Sequence, residues 1–276
     1  MLDIIKAAFY GIVQGLTEFL PVSSSGHLAI LTNIFGLSFD DVILFTLILH
    51  LGSLVAVFII YLKDIKELII SFISLIVKIF TGKFVYSRLT AGERFVIMVF
   101  IATLPLIIGA IVEKQIEVLS SYTKIIGLFL IINAVILFFS DRIPTGSLTE
   151  KTATPKNALF VGLCQLIAVA PGISRSGATI TGGLLNGFDR KFAVKFSFIM
   201  SIPAILGASV FKIADFASSD SEITGLMIGQ CLIGFIFAFA AGIAAIVLVN
   251  IIARKKNFTW FAIYCFIVGL LALIFG

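Results

Sequence analysis

QGLTEFLPVSSSGH, residues 14 to 27, breaks an apolar run in its middle with Pro21, three consecutive serines and Gly26. A second stretch, QLIAVAPGISRSGAT at 165 to 179, does the same to another apolar run. Each arm beside a break is about half the length needed to cross a bilayer, so both read as re-entrant helix-loop-helix hairpins. The first carries Glu18 and His27, the second Arg175. Ionisable groups at membrane depth are costly and point to function.

The rest of the chain supports that setting. With 60% apolar residues and 28 Phe in 276 residues, there is too little polar surface for a soluble domain, and the class is an all-α polytopic membrane protein. The net charge of +5 sits in short connections between apolar runs, where it orients the chain rather than binding nucleic acid. Cys164, Cys231 and Cys265 lie inside apolar segments without metal-ligand spacing and read as small buried hydrophobes. The N-terminus lacks a basic segment followed by a small-residue cleavage site, so the first apolar run is expected in the mature fold.

Six runs are long enough to span, at about 42–62, 93–113, 123–140, 192–212, 225–250 and 258–275. Within 67–80 the polar residues Glu67, Ser71, Ser74 and Lys78 form one helical stripe, which predicts an interfacial amphipathic helix. Six crossings put fifteen of the 20 Lys and Arg residues on one side, four on the other, and Arg175 in the second hairpin. The positive-inside bias then predicts both termini outside the cytoplasm.

An offset of 151 residues pairs Gly11 with Gly162, Gln14 with Gln165, Ser23 with Ser174, Ser25 with Ser176, Gly26 with Gly177 and Phe45 with Phe196. The chain therefore reads as one membrane domain of two repeats, about 1–140 and about 157–276, joined by a polar connection at 141–156. One hairpin and three spans per half make the topology inverted, six transmembrane helices plus two hairpins in all.

Unwound backbone inside a membrane needs a polar cavity, and helix N-termini there favour anions. Ser25 and Ser176 are expected to cap the helices starting near Gly26 and Gly177. Arg175 offers a planar donor fork suited to phosphate or pyrophosphate. Gln14 and Glu18, four residues apart, share a helix face, and a divalent metal between Glu18 and phosphate oxygens is the economical arrangement. His27 is a candidate acid, base or phosphoryl acceptor, and Ser23, Ser24 and Ser25 are candidate nucleophiles or phosphate ligands. The plainer readings are self-capping serines, a structural ion pair, a structural His50, and helix kinks at Pro105 and Pro203. Convergence of carboxylate, imidazole, guanidinium and hydroxyls on two repeat-related breaks favours a site.

EFLPVSSSGH (18–27) and PGISRSGAT (171–179), with FSF at 196–198 and FAIY at 261–264, resemble the bacterial undecaprenyl pyrophosphate phosphatases of the bacitracin-resistance type. That resemblance implies an undecaprenyl-diphosphatase dependent on a divalent metal, Mg2+ or Ca2+. It implies a multi-pass protein of the bacterial cytoplasmic membrane with a site opening to the outer face and a role in lipid-carrier recycling for peptidoglycan. Carried onto this chain, it makes Glu18, Ser24, His27 and Arg175 catalytic, Ser24 as the proposed nucleophile. Gln14, Ser23, Ser25, Gly26, Ser174, Ser176 and Thr179 become phosphate-binding. Glu18 is the metal ligand and Gln14, where many relatives have Glu, a further one. Expected partners are the polyprenyl diphosphate, membrane lipids and, as an open alternative, a second copy in a homodimer. The rival class is a transporter or flippase for phosphate or a lipid phosphate, which would use the same broken helices.

Overall fold

The computed structural model describes residues 2–35, 42–218 and 224–276. Among them the chain is helical, with one isolated β-bridge between Leu148 and Phe188. The helices are α1 (Leu2–Phe19), α2 (Ser24–Phe35), α3 (Val42–Ile60), α4 (Leu62–Phe80), α5 (Ala91–Thr103), α6 (Leu106–Ser120), α7 (Thr123–Ser140), α8 (Pro155–Ile167), α9 (Arg175–Leu185), α10 (Arg190–Ala217), α11 (Gly225–Lys255) and α12 (Thr259–Phe275). A single short 3-10 turn, Tyr86–Arg88, precedes α5.

Five stretches are long and apolar enough to cross a membrane: Ile43–Ile60, Ala91–Val112, Thr123–Ser140, Arg190–Ala217 and Gly225–Lys255. The sixth expected span is α12, apolar but 17 residues long. At 1.5 Å per residue it reaches about 26 Å, slightly short of a 30 Å hydrocarbon core. Pro105 separates α5 from α6 as expected of a residue that lacks an N–H, whereas Pro203 lies inside an unbroken α10.

The packing interlaces the two ends of the sequence. α1 lies along α11, α3 packs on α11 and α10, α7 on α12, and α8 on α5. Between apolar helices in lipid there is no hydrophobic gain, so close contact rests on small residues that let backbones approach. A Cβ on Gly11 would lie 2.5 Å from the Gly234 carbonyl oxygen, and one on Gly127 only 2.7 Å from that of Gly269. Gly162, which the 151-residue offset pairs with Gly11, meets Ala102 of α5 in the same manner.

The second half of the polar stripe of α4, Ser71, Ser74 and Lys78, turns half-buried toward α5, while Glu67 stays exposed. Ser74 Oγ and Lys78 Nζ both donate to Glu93 at 2.8 Å, and Glu93 also closes a capping box with Thr90 at the start of α5. Ile69, Ile70, Phe72, Ile73 and Phe80 face outward instead. Periodicity correctly predicts the stripe, but the partner it meets is a buried carboxylate on the next helix rather than water.

Candidate active site

α1 ends one residue after Glu18, and a four-residue loop, 20–23, leads to α2 starting at Ser24. α8 ends at Ile167, and a seven-residue turn leads to α9 starting at Arg175. The two helix starts are built alike. Ser23 Oγ accepts from Gly26 N at 3.3 Å and lies 3.4 Å from Ser25 Oγ. Ser174 Oγ accepts from Gly177 N at 3.2 Å and lies 3.0 Å from Ser176 Oγ. The capping residues are therefore Ser23 and Ser174, not the expected Ser25 and Ser176, because each helix begins two residues earlier than the glycine signal suggested. Ser23 adopts φ 75°, a left-handed conformation that a non-glycine residue holds only when its surroundings enforce it.

Early helix starts put Ser24 and Arg175 in the first helical position of their respective hairpins, and both reach Glu18. Ser24 Oγ donates to Glu18 Oε2 at 2.7 Å, and Arg175 Nη2 donates to Oε1 at 2.5 Å. Gln14 Nε2 donates to Oε2 at 2.9 Å from one turn earlier in α1. Glu18 is 8% exposed, so a charge that would be expensive alone is met by one cation and two neutral donors. Arg175 Nη1 and Gln14 Oε1 are buried without a partner among the described residues.

Of the residues expected to form the site, Glu18, Ser24, Ser25 and Arg175 line a cavity of about 470 Å3. Its remaining wall is mostly apolar: α6 (Leu106, Ile107, Ala110) and α10 (Pro203, Ala204, Gly207, Ala208, Phe211) contribute most of it, and Leu47, Thr103, Gln165 and Val169 add to it. The other candidates stand behind this surface. Ser176 Oγ donates to the Leu20 carbonyl at 3.2 Å, joining one loop to the other. Gly26 serves loop contact: a Cβ there would lie 3.0 Å from Gly172 Cα. Thr179 Oγ1 bonds the Arg175 carbonyl at 2.8 Å and Ser197 Oγ at 2.6 Å, away from the cavity.

His27 is also turned away. Its Nδ1 is 2.8 Å from the Ser23 carbonyl, which can only accept, so Nδ1 carries the proton and Nε2 accepts from Tyr264 OH at 2.8 Å. The ring stacks on Tyr264 at 5.5 Å and 7°. With both nitrogens engaged, the imidazole holds the peptide next to Ser24 in place.

Two residues gain importance from the structure. His50, read from the sequence as structural, faces the cavity with Nε2 3.8 Å from Glu18 Oε2. Asn133 in α7 is fully buried; its Nδ2 donates to the Pro21 carbonyl at 2.9 Å and its Oδ1 accepts from Ser174 N at 3.1 Å. One amide thus ties both loops together. A lone Asn within an apolar run was its sequence signal.

Among the described residues no group of three or more His, Cys, Asp and Glu forms a metal cluster. The oxygen donors near Glu18, namely its carboxylate, the unpartnered Gln14 Oε1 and Ser24 Oγ, are a chemistry suited to Mg2+ or Ca2+, with the nitrogen of His50 Nε2 3.8 Å away.

Residues 7–271 match the family described as bacitracin resistance protein BacA. A protein of Methanosphaera stadtmanae named undecaprenyl-diphosphatase is 39% identical over 99% of this chain and 98% of its own. Proteins with the same name from Alkaliphilus metalliredigens and Christiangramia forsetii are each 38% identical, over 98% of both chains and over 100% and 99% respectively.

Proposed function

The chain belongs to the bacitracin resistance protein BacA family, and on that premise we propose that it hydrolyses undecaprenyl pyrophosphate to undecaprenyl phosphate and inorganic phosphate, recycling the lipid carrier of cell-wall synthesis. It is an enzyme, an undecaprenyl-diphosphatase. The observation that carries this reading is one buried carboxylate, Glu18, held between a hydroxyl and a guanidinium at the head of an apolar groove.

Phosphoryl transfer asks mainly for positioning and charge neutralisation. Arg175, released from Glu18 by the incoming anion, donates its fork to the diphosphate, and its unpartnered Nη1 is already committed to no other residue described. Ser24 Oγ attacks the terminal phosphorus while its proton passes to Glu18 Oε2, along a hydrogen bond of 2.7 Å. The bond to the bridging oxygen breaks, and that oxygen leaves on the lipid monophosphate. Water then cleaves the phosphoserine. Glu18 returns a proton to Oγ, takes one from the water and loses it to solvent, and hydrogen phosphate departs. Ser23, Ser25, Ser174 and Ser176 shape the two loops, Gly26 lets them touch, and Thr179 secures the Arg175 turn. His27 holds the Ser23–Ser24 segment through Nδ1. Glu18, with Gln14, would hold a divalent metal, which when bound neutralises phosphate charge.

The prenyl tail lies in the groove between α6 and α10. Six transmembrane helices, α12 being the sixth, and two re-entrant hairpins make up two inverted repeats, about 1–140 and about 157–276. Supporting this are the reciprocal packing of α1 on α11 and α8 on α5, and the matched serine geometry of the two loops. Both termini lie outside, and the site opens to the outer face of a bacterial cytoplasmic membrane. Phosphate release from undecaprenyl pyrophosphate by purified protein in detergent is the test. Turnover there, with no membrane to cross, separates hydrolysis from transport; no release, or wild-type rates in Glu18→Ala, would overturn the reading.

A further inference from the structure

The proposed reaction gives no part to His50, although its imidazole lines the same cavity as Glu18 and Ser24. The ring is pinned by the helix that carries it. Nδ1 lies 2.8 Å from the Thr46 carbonyl, which can only accept, so the proton sits on Nδ1 and Nε2 keeps its lone pair. Nε2 is 3.8 Å from Glu18 Oε2. Two acceptors thus face each other at a distance too long for a hydrogen bond and short enough for one cation to touch both. Zinc, for example, bonds imidazole nitrogen and carboxylate oxygen at about 2.0–2.2 Å. A histidine that ligates a metal commonly gives its other N–H to a backbone carbonyl, as His50 does.

The donors on the other side of that gap fit a cation too. Glu18 Oε2 accepts from Ser24 Oγ and from Gln14 Nε2, while Gln14 Oε1 is buried without a partner among the described residues. Turning the Gln14 amide over changes its shape little, relieves Oε2 of one bond and presents an oxygen in place of the N–H. α1 then supplies oxygens from Gln14 and Glu18, and α3 supplies one imidazole nitrogen. All-oxygen sites suit Mg2+ and Ca2+; an imidazole shifts the preference toward first-row ions such as Co2+ and Zn2+.

We propose that His50 Nε2 is a nitrogen ligand of the divalent ion at Glu18, so that this site prefers Co2+ or Zn2+ to Mg2+ and Ca2+. This rests on the reading above that Glu18 holds a metal. The probe is Mn2+, followed by electron paramagnetic resonance on the full chain in detergent, with any purification tag removed and without turnover. The chain has two histidines, and both nitrogens of His27 are engaged, so coupling of the bound ion to an imidazole nitrogen reports His50. That coupling is expected in wild type and lost in His50→Leu and His50→Gln. Displacement of Mn2+ by Co2+ and by Ca2+ gives their constants. Co2+ should bind about tenfold more weakly in both variants and Ca2+ less than about twofold, which also shows that the variants keep a folded site. Bound Mn2+ with no nitrogen coupling in wild type, or equal weakening of Co2+ and Ca2+, would overturn the role of His50 and leave Glu18 with an all-oxygen site. Mn2+ affinity unchanged in Glu18→Ala would overturn the metal reading itself, and the proposal with it.

Discussion

The loop at 20–23 and the loop at 168–174 have the same local design and opposite contributions. Each starts a helix with a serine cap, and each has a second serine two residues on. At the first helical position, however, one copy has Ser24 and the other Arg175, and the two side chains meet the two oxygens of a single carboxylate. Glu18 and His27 have Val169 and Ala178 as their counterparts at the 151-residue offset. Two similarly built helix starts are thus aimed at one point, and differences at three positions give one loop Glu18, Ser24 and the loop-holding His27 and the other Arg175, a division that under the proposed mechanism separates the reacting groups from the phosphate clamp.

The largest expected effect removes what both copies share. Glu18→Gln keeps the shape but loses the proton acceptor and the counter-charge, and kcat should fall about 10³-fold in a phosphate-release assay. Next comes the clamp. Arg175→Lys keeps the charge and loses the planar fork, so kcat/KM should drop about 10²-fold, and recovery to wild-type values would show that the fork geometry is irrelevant.

A smaller effect is expected where the two loops are tied rather than where they react. Asn133→Leu leaves the Ser174 N–H unpaired, at about 1–3 kcal/mol, and the buried Pro21 carbonyl with only a 4.0 Å contact from Cys265 Sγ, which should appear as a lower thermal midpoint in detergent. Smallest is Tyr264→Phe, which frees His27 Nε2 without touching Nδ1; activity should fall less than about tenfold, because one neutral hydrogen bond is worth about 1 kcal/mol. A loss as large as that of Glu18→Gln would mean that His27 acts on substrate and not only on the loop.

Much of this comparison was legible in the sequence. The breaks around Pro21 and Pro171, the 151-residue offset that aligns the two stretches, and the need for buried Glu18 and Arg175 to find partners follow from period and cost alone. Helix starts were misjudged by two residues because a serine run offers several capping registers, and only packing selects one. Partners far apart in sequence stayed hidden. Nothing local tells Asn133 that it will meet Pro21, His27 that it will meet Tyr264, or His50 that it will face Glu18. The stripe on α4 was visible, but a periodicity gives a direction around a helix axis without saying what lies there, and here that is Glu93.

The central claim is that Ser24 and Arg175, from the two copies, work through the same carboxylate. A double-mutant cycle on kcat/KM for undecaprenyl pyrophosphate tests it most directly, with Ser24→Ala, Arg175→Ala and the pair together. If both act through Glu18, each single change should cost about 10²-fold or more and the double variant well short of the product, since groups that function as a unit are strongly non-additive. Losses that multiply independently, or single variants with wild-type rates, would contradict the account.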